Sequence, residues 1–343
     1  MPEERKAKKI KEKRSGEIPR VSIIIPNYNS EAFLDACLDS LYKQIWKDFE
    51  VILVDNGSTD RSPQMAENHP LKPVVLRLDK NYGFAHAVNV GLEKSCAKLI
   101  ALLNNDAQPD PLWLKNLVEC AEQYPQMDFF ASLVLRLECR DKIESAGVGW
   151  SLQARPIPLF AGKSPGRWLR DFEVFLASAS AVLFRRRLLE KLGLFDEDYF
   201  AYLEDVGFFL KARLAGCRGM LVSKALVYHL GAGTELGDKP GKKRLESQKR
   251  VFLIARNRWW LIWDHLPAGL ILLLLPLIAF GWLRGLGYHL FISGQIGAFL
   301  RGSLAGIFSF PSRRKVRKRV KGLWQIKSSE LLKFMKKGFW EMR

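Results

Sequence analysis

Apolar and polar positions in the first third of the chain come in blocks. VSIIIP (21–26), FEVILVD (49–55), VVLRL (74–78) and LIALL (99–103) are near-continuous apolar runs of strand length, the pattern of strands covered on both faces. Helix-length segments separate them. Leu34, Leu38, Leu41 and Ile45 fall on one helical face, and a polar helix runs from about residue 61 to 68. In NYGFAHAVNVGLEKS, Gly83 permits a tight turn into a third helix. This alternation predicts an α/β domain around a parallel sheet. Right-handed crossovers then line up the strand ends PNYN, DNGSTD and NND along one edge, where open α/β sheets bind their ligands. For Asn104, Asn105 and Asp106 a turn is the alternative, because such side chains bond their own backbone and Pro109 and Pro111 suit a loop that opens a helix.

Further along, YLEDVGFFLKARLAG reads as a helix burying Phe208, Phe209 and Leu214, with Glu204 and Asp205 in its first turn. Those carboxylates serve equally as caps, and Arg213 serves either as an ion-pair partner or on a solvated face. In ALVYHLGAGT, His229 ends a short strand ahead of a loop rich in Gly, Pro and Lys (231–243) that is able to close over an anion or to remain an ordinary surface loop. Residues 266–283 are 18 uncharged positions flanked by Trp259, Trp260, Trp263 and Trp282, long enough for a membrane span with an interfacial aromatic belt. A shorter, Gly-rich segment follows at 286–300. Then comes RRKVRKRVK, seven basic residues in nine.

Charge sharpens this organisation. The 343 residues carry 54 Lys and Arg against 36 Asp and Glu, a net +18, most of it at the two ends. Residues 1–20 hold 8 basic and 4 acidic groups, and residues 311–343 hold 12 and 2, so the middle is near neutral. No basic stripe with a reading helix lies on the folded part, which excludes nucleic acid as the expected partner. The tail suits anionic lipid instead. Five scattered cysteines without a CxxC pair indicate a reducing compartment rather than a disulfide framework, and no apolar leader follows the first charges. The expected divisions are a basic N-terminal tail (1–20), an α/β domain (21–250), membrane-associated helices (251–310) and a basic C-terminal tail (311–343). The helices are read as a hairpin, a re-entrant element or an interfacial pair.

VSIIIPNYN, VILVDNGSTD, NYGFAHAVNVGL, ALLNNDAQPDPLWL and GLFDEDYFAYLEDVGFFLKARLAGC, in this order from residue 21 to 229, resemble the successive motifs of the family 2 glycosyltransferases. The resemblance is nearest to non-processive bacterial surface-polysaccharide enzymes, rhamnosyltransferases among them. It implies a GT-A nucleotide-sugar-binding sandwich with a mostly parallel central sheet, and a UDP- or dTDP-sugar donor. By resemblance the donor is held by Pro26, Asn27, Tyr28, Asn29, Asp55, Gly57, Ser58, Asn81, Gly83, Asn89, Asn104 and Asn105. Asp55 would accept the imide N–H of the base. Spacing alone leaves Asp55 equally a turn cap over Gly57 and Ser58.

The resemblance also implies a divalent cation, Mg²⁺ or Mn²⁺, on Asp106 and His229. Asp205 would be the general base of an inverting transfer and Glu204 its neighbour. This sequence departs from relatives at Asn104, where an acidic residue is more common, and at Gly207, where a second aspartate is. The Q-x-x-R-W motif of processive synthases survives here only as ARNRW, with Ala255 in place of the glutamine, which argues against a polymer-threading synthase. The expected acceptor is a glycan hydroxyl, polyprenyl-diphosphate-linked, at the cytoplasmic face of the inner membrane. Direct charging of a polyprenyl phosphate and a non-catalytic membrane adaptor are the alternatives.

Overall fold

The computed structural model describes residues 18–166, 169–231 and 247–340, the last five by backbone alone. The N-terminal basic segment up to residue 17 and most of the 231–243 loop lie outside the described residues.

β1 (Val21–Asn27) is buried at every position and lies between β2 (Phe49–Asp55) and β4 (Leu99–Leu103), parallel to both; β3 (Val74–Arg77) continues the parallel order beyond β2. The crossovers are α1 (Leu34–Tyr42), α2 (Ser62–Asn68) and α3 (Phe84–Lys94). On α1 the residues Leu34, Cys37, Leu38 and Leu41 face the sheet, the i, i+3, i+4, i+7 stripe that a one-sided helix needs. Ile45, expected on that stripe, lies past the helix end and is 58% exposed.

The sheet then turns mixed. β5 (Ala107–Pro109) and α4 (Trp113–Gln123) lead to β6 (Phe129–Arg136), followed by the short β7 (Ile143–Ser145), β8 (Val148–Trp150), β9 (Pro156–Pro158) and β10 (Phe172–Val174). β11 (Ala181–Arg185), α5 (Arg186–Leu192), α6 (Glu204–Leu214) and β12 (Gly219–His229) complete the domain. The strand order is β10-β12-β6-β11-β4-β1-β2-β3. Only β10 and β11 oppose the common direction along that path, so the mostly parallel sheet expected from the sequence is present.

Alternate side chains of β1 enter different cores. Ile23 and Ile25 pack with α1 and α4 on one face, while Ile24 packs on the other with α3, α6 and the C-terminal helices.

Those helices are α7 (Gln248–His265), α8 (Ala268–Phe291), α9 (Ile296–Phe308), α10 (Phe310–Gly322) and α11 (Ser328–Trp340). The second apolar segment begins later than its sequence pattern implied, because α8 runs on to Phe291 and the chain reverses at Gly294, φ +68°. By length and composition α8 alone among the described residues is able to cross a membrane.

The basic stretch after residue 310 is not a free tail. Arg313 is 3% exposed, lodged against Asp264 of α7 and against Asp196 and Asp198. Leu331 and Met335 of α11 join the larger core, and Phe334 stacks on Phe175 with centroids 4.9 Å apart. The tryptophans do not form a free belt either: Trp260 is buried and donates to Ser309 Oγ, Trp263 to the Gly306 carbonyl and Trp282 to Ser303 Oγ.

Candidate active site

Pairing in register puts Asn27 at the end of β1 opposite Asp55 at the end of β2. Asn27 Nδ2 donates to Asp55 Oδ1 at 3.0 Å and to Ser62 Oγ at 3.0 Å, while its Oδ1 accepts from Ser30 Oγ and from Asn105 Nδ2 at 3.2 Å. One buried amide therefore joins the ends of β1, β2 and β4. Asp55 Oδ2 takes the Ser58 N–H at 3.3 Å, and Ser58 Oγ in turn accepts from the Asn29 N–H at 2.9 Å. Pro26 and Tyr28 flank Asn27 on the same strand end.

The third strand end is organised by Asn56, which the sequence did not single out. Its Nδ2 donates to Asn81 Oδ1 at 3.2 Å and to the Gly83 carbonyl at 3.0 Å, and its Oδ1 accepts from the Tyr82 N–H at 2.9 Å. Gly57 and Gly83 have φ of +74° and +97°, and a Cβ on either would overlap backbone, that of Lys80 or of Phe200. Asn89 does not reach this crevice. Both ends of its amide are spent on the Phe195 backbone, and its Nδ2 also donates to Glu197, so it ties α3 to the segment before α6.

At the end of β4, β5 pairs with the end of β12 and sets His229 opposite Ala107. This brings His229 Nε2 to 3.1 Å from Asp106 Oδ1 and 3.2 Å from Asn104 Nδ2. His229 Nδ1 lies 2.8 Å from Glu144 Oε1, on β7. Burial would strip a proton from this imidazole, but hydrogen bonds to the two carboxylates outweigh it and hold its pKa up at about 10.

Asn104 Oδ1 is buried without a hydrogen-bond partner. An orphaned amide oxygen beside a carboxylate and an imidazole fits a hard divalent cation, and binding one through Nε2 would release the histidine proton. Among the described residues no three His, Cys, Asp or Glu side chains converge on one point, so most of the coordination shell would have to come from a bound diphosphate and water. Glu144 fixes the ring of His229 in the manner of a carboxylate behind a metal-binding histidine. Glu144 has no periodic signal in the sequence, because β7 is only three residues long; in the fold it is half-buried between the buried Ile143 and Ser145.

Glu204 and Asp205 open α6 after a strained approach. Phe200, Tyr202 and Leu203 all have left-handed backbones, φ +64°, +68° and +70°. α7 holds this loop. Asn257, fully buried, donates to the carbonyls of Tyr199, Ala201 and Tyr202 at 3.1, 2.9 and 2.7 Å, and Arg256 to those of Asp198 and Tyr199. The degenerate ARNRW motif is thus the clamp on the loop that presents Glu204 and Asp205.

Asp205 is half-buried. Its Oδ2 accepts the Ala179 N–H at 2.9 Å and its Oδ1 the Val206 N–H at 2.7 Å, and the neighbouring Ser180 carbonyl accepts the Asn104 N–H at 3.0 Å. One short segment, 178–180, therefore links Asp205 to Asn104. Burial raises the Asp205 pKa, against the pull of those N–H groups. Glu204 has one carboxyl oxygen without a partner, and burial with the adjacent Asp205 pushes its pKa up to about 8. Gly207 rests against Leu261 and Tyr199, so an aspartate there would be buried. Arg213 is 5% exposed and pairs with Glu173 at 3.0 Å, which makes it an internal ion-pair partner.

Residues 22–193 match the model of the family described as "Glycosyl transferase family 2". The chain is 37% identical over 108 residues to "Uncharacterized glycosyltransferase EpsJ" of Bacillus subtilis (strain 168), a match covering 31% of each chain. It is 32% identical over 183 residues to an "Undecaprenyl-phosphate 4-deoxy-4-formamido-L-arabinose transferase" of Pseudomonas paraeruginosa, covering 51% of this chain and 50% of that one. These matches span about a third to a half of the relatives' length. The crystal structure of S. aureus TarS 1-349 in complex with UDP-GlcNAc superposes with TM-score 0.58 at 20% identity, covering 94% of this chain and 88% of the other. At that identity the likeness shows the fold alone, a GT-A fold.

Proposed function

This chain belongs to glycosyl transferase family 2, and from that premise we propose that it is an inverting, metal-dependent enzyme that moves a sugar from a UDP- or dTDP-sugar to a hydroxyl of a lipid-linked glycan. The reaction would take place at the cytoplasmic face of a bacterial inner membrane, during assembly of surface polysaccharide. The observation that carries this reading is the gathering at one sheet edge of Asp55, of Asp106 beside His229, and of Asp205 one short segment away.

In this reading Asn27 aims Asp55, whose carboxylate accepts the imide N–H of a uracil or thymine ring. Ser58, and the turns at Gly57 and Gly83 that pack closely on the Lys80 and Phe200 backbone, shape the strand ends that would face ribose and phosphate. Asp106, His229 and the orphaned oxygen of Asn104 would hold Mg²⁺ or Mn²⁺, which when bound would supply the positive charge that a departing diphosphate needs. Asp205, pinned on the Ala179 and Val206 N–H groups, takes the proton of the acceptor hydroxyl as its oxygen attacks the anomeric carbon opposite the leaving group. Glu204, protonated at neutral pH, donates a hydrogen bond to the acceptor or to Asp205.

The name of the Pseudomonas relative favours a second reading, in which the acceptor is a polyprenyl phosphate itself. Mass spectrometry of products formed from UDP-glucose, UDP-GlcNAc and dTDP-rhamnose with cell-derived lipid acceptors and Mn²⁺ decides between them. Sugar on a preceding sugar supports the first reading, and sugar on the phosphate supports the second. Absence of transfer and of donor hydrolysis across the panel overturns both.

A further inference from the structure

α8 has two unlike faces. Leu270, Leu274, Ile278 and Gly281, one helical stripe, are buried against the body of the protein, the first three in the same core as α6 and α7. Contact continues along the helix: Trp282 donates to Ser303 Oγ of α9, and His289 stacks on Phe299 with centroids 4.9 Å apart. The helix is therefore fastened along nearly its whole length. Its other face is open apolar surface, with Leu272 73%, Phe280 54% and Leu283 56% exposed. α9 adds Leu304 and Phe308 on its outward face, while its Gly302 and Gly306 abut α7 closely.

At about 1.5 Å per residue, 24 residues measure about 36 Å, enough to cross a bilayer. Crossing, however, would drag the buried stripe's partners into hydrocarbon. Gly281 packs on Gln153 and Arg258, and the α7 helix beside it carries Arg256 and Asn257, already committed to the loop before α6. Loop backbone and guanidinium groups are excluded from lipid unless protein surrounds them. The charge distribution points elsewhere: from 265 to 329 there is no Asp or Glu, against ten Lys and Arg.

We propose that α8 and α9 lie in the plane of one leaflet of an anionic phospholipid bilayer, without crossing it. Their open apolar faces enter the acyl boundary, and Arg284 and Arg301, exposed on the same two helices, meet the lipid phosphates. This inference rests on helix packing and charge, independent of the sugar-transfer reading, and its assay contains no sugar nucleotide.

The test is flotation of the full chain with phosphatidylcholine vesicles and with vesicles of phosphatidylcholine and phosphatidylglycerol in equal parts. Expected is binding that needs phosphatidylglycerol and weakens with salt. Leu272→Glu and Leu283→Glu, each made alone so that one misfolding variant does not decide the result, are expected to bind at least tenfold more weakly with unchanged thermal melting. Depth is read from a fluorophore placed in turn on Leu272→Cys, Phe280→Cys and Leu283→Cys, with Cys96 and Cys139 replaced by serine, against shallow- and deep-quencher lipids. Equal shallow quenching at all three supports the in-plane arrangement. Deep quenching at Phe280 with a gradient toward either end shows a crossing helix and overturns it, as does absence of flotation with either vesicle.

Discussion

Asp205→Asn separates proton acceptance from the structural duty of the same side chain. Two backbone N–H groups, of Ala179 and Val206, end on different carboxylate oxygens at 2.9 and 2.7 Å. Asparagine offers one oxygen and one NH₂, so one of those N–H groups must face a donor. Leaving such a group without an acceptor costs ~1–3 kcal/mol. Removal of a carboxylate whose charge is disfavoured by burial offsets part of that, for a net loss of about 1–2 kcal/mol. At ~2–4 °C per kcal/mol for a domain of this size, the melting temperature should fall by roughly 2–8 °C, leaving the variant folded at 25 °C. Loss of a general base costs ~10²- to 10⁴-fold in rate. Transfer measured by product formation should therefore drop at least ~100-fold, with donor affinity by calorimetry within a few-fold of the parent. Two results would remove Asp205 as the base. Transfer within tenfold of the parent makes Asp205 only a clip for 178–180, and parallel losses of transfer and donor affinity mean that the clip, through Ser180 and Asn104, is what the substitution broke.

Four more outcomes are expected. The unfolded chain ionises Glu204 near its ordinary 4.5 and the folded chain only near 8, so the folded state keeps a proton and loses stability as pH rises between those values; Glu204→Gln should melt progressively higher than the parent from about pH 5 to pH 8 and by a constant margin above, and a gap independent of pH would mean the carboxyl is already ionised when folded. Gly83→Ala forces a Cβ onto the Phe200 carbonyl at φ +97° and should cost at least ~2 kcal/mol in a denaturant titration, whereas an unchanged midpoint would show that the 200–203 loop yields freely. Asp106→Ala should weaken Mn²⁺-supported UDP binding at least ~10-fold by calorimetry while leaving metal-free UDP binding unchanged, and equal Mn²⁺ dependence would remove Asp106 from the cation site. Arg313→Ala strands Asp264 in the interior and should cost ~3–5 kcal/mol by thermal melting, so truncation before Pro311 is expected to yield insoluble protein; a soluble, cooperatively melting truncate would refute it.

The parallel half of the sheet was legible because each of its strands carries its own apolar run and each crossover its own helical stripe. The line of polar strand ends followed from handedness alone. The contacts that complete the crevice were not legible, because they join residues far apart in sequence through pairings that periodicity does not encode. Glu144 reaches His229 across 85 positions through β7, β6 and β12, and Asn257 reaches Tyr202 across 55. Asn89, which the family resemblance assigns to the donor, bonds the Phe195 backbone from within α3, a contact that its motif does not encode. Charge misled in the same way at Arg313, where a run of basic residues conceals one that is buried against the interior Asp264 and also pairs with Asp196 and Asp198.

Val21 to Asn27 alternates between two hydrophobic compartments, with Ile23 and Ile25 in one and Ile24 in the other, and the same strand ends on the amide that meets Asp55. A slip of β1 by one position would exchange the compartments of every side chain along it. It would also carry Asn27 about 3.3 Å, one residue's rise, away from its carboxylate. The penalty for misplacing the amide that meets Asp55 is thus levied deep inside the protein, by volumes that fit only one way. Substitutions that loosen these isoleucines without unfolding the chain should show themselves first as imprecision at a site they never touch.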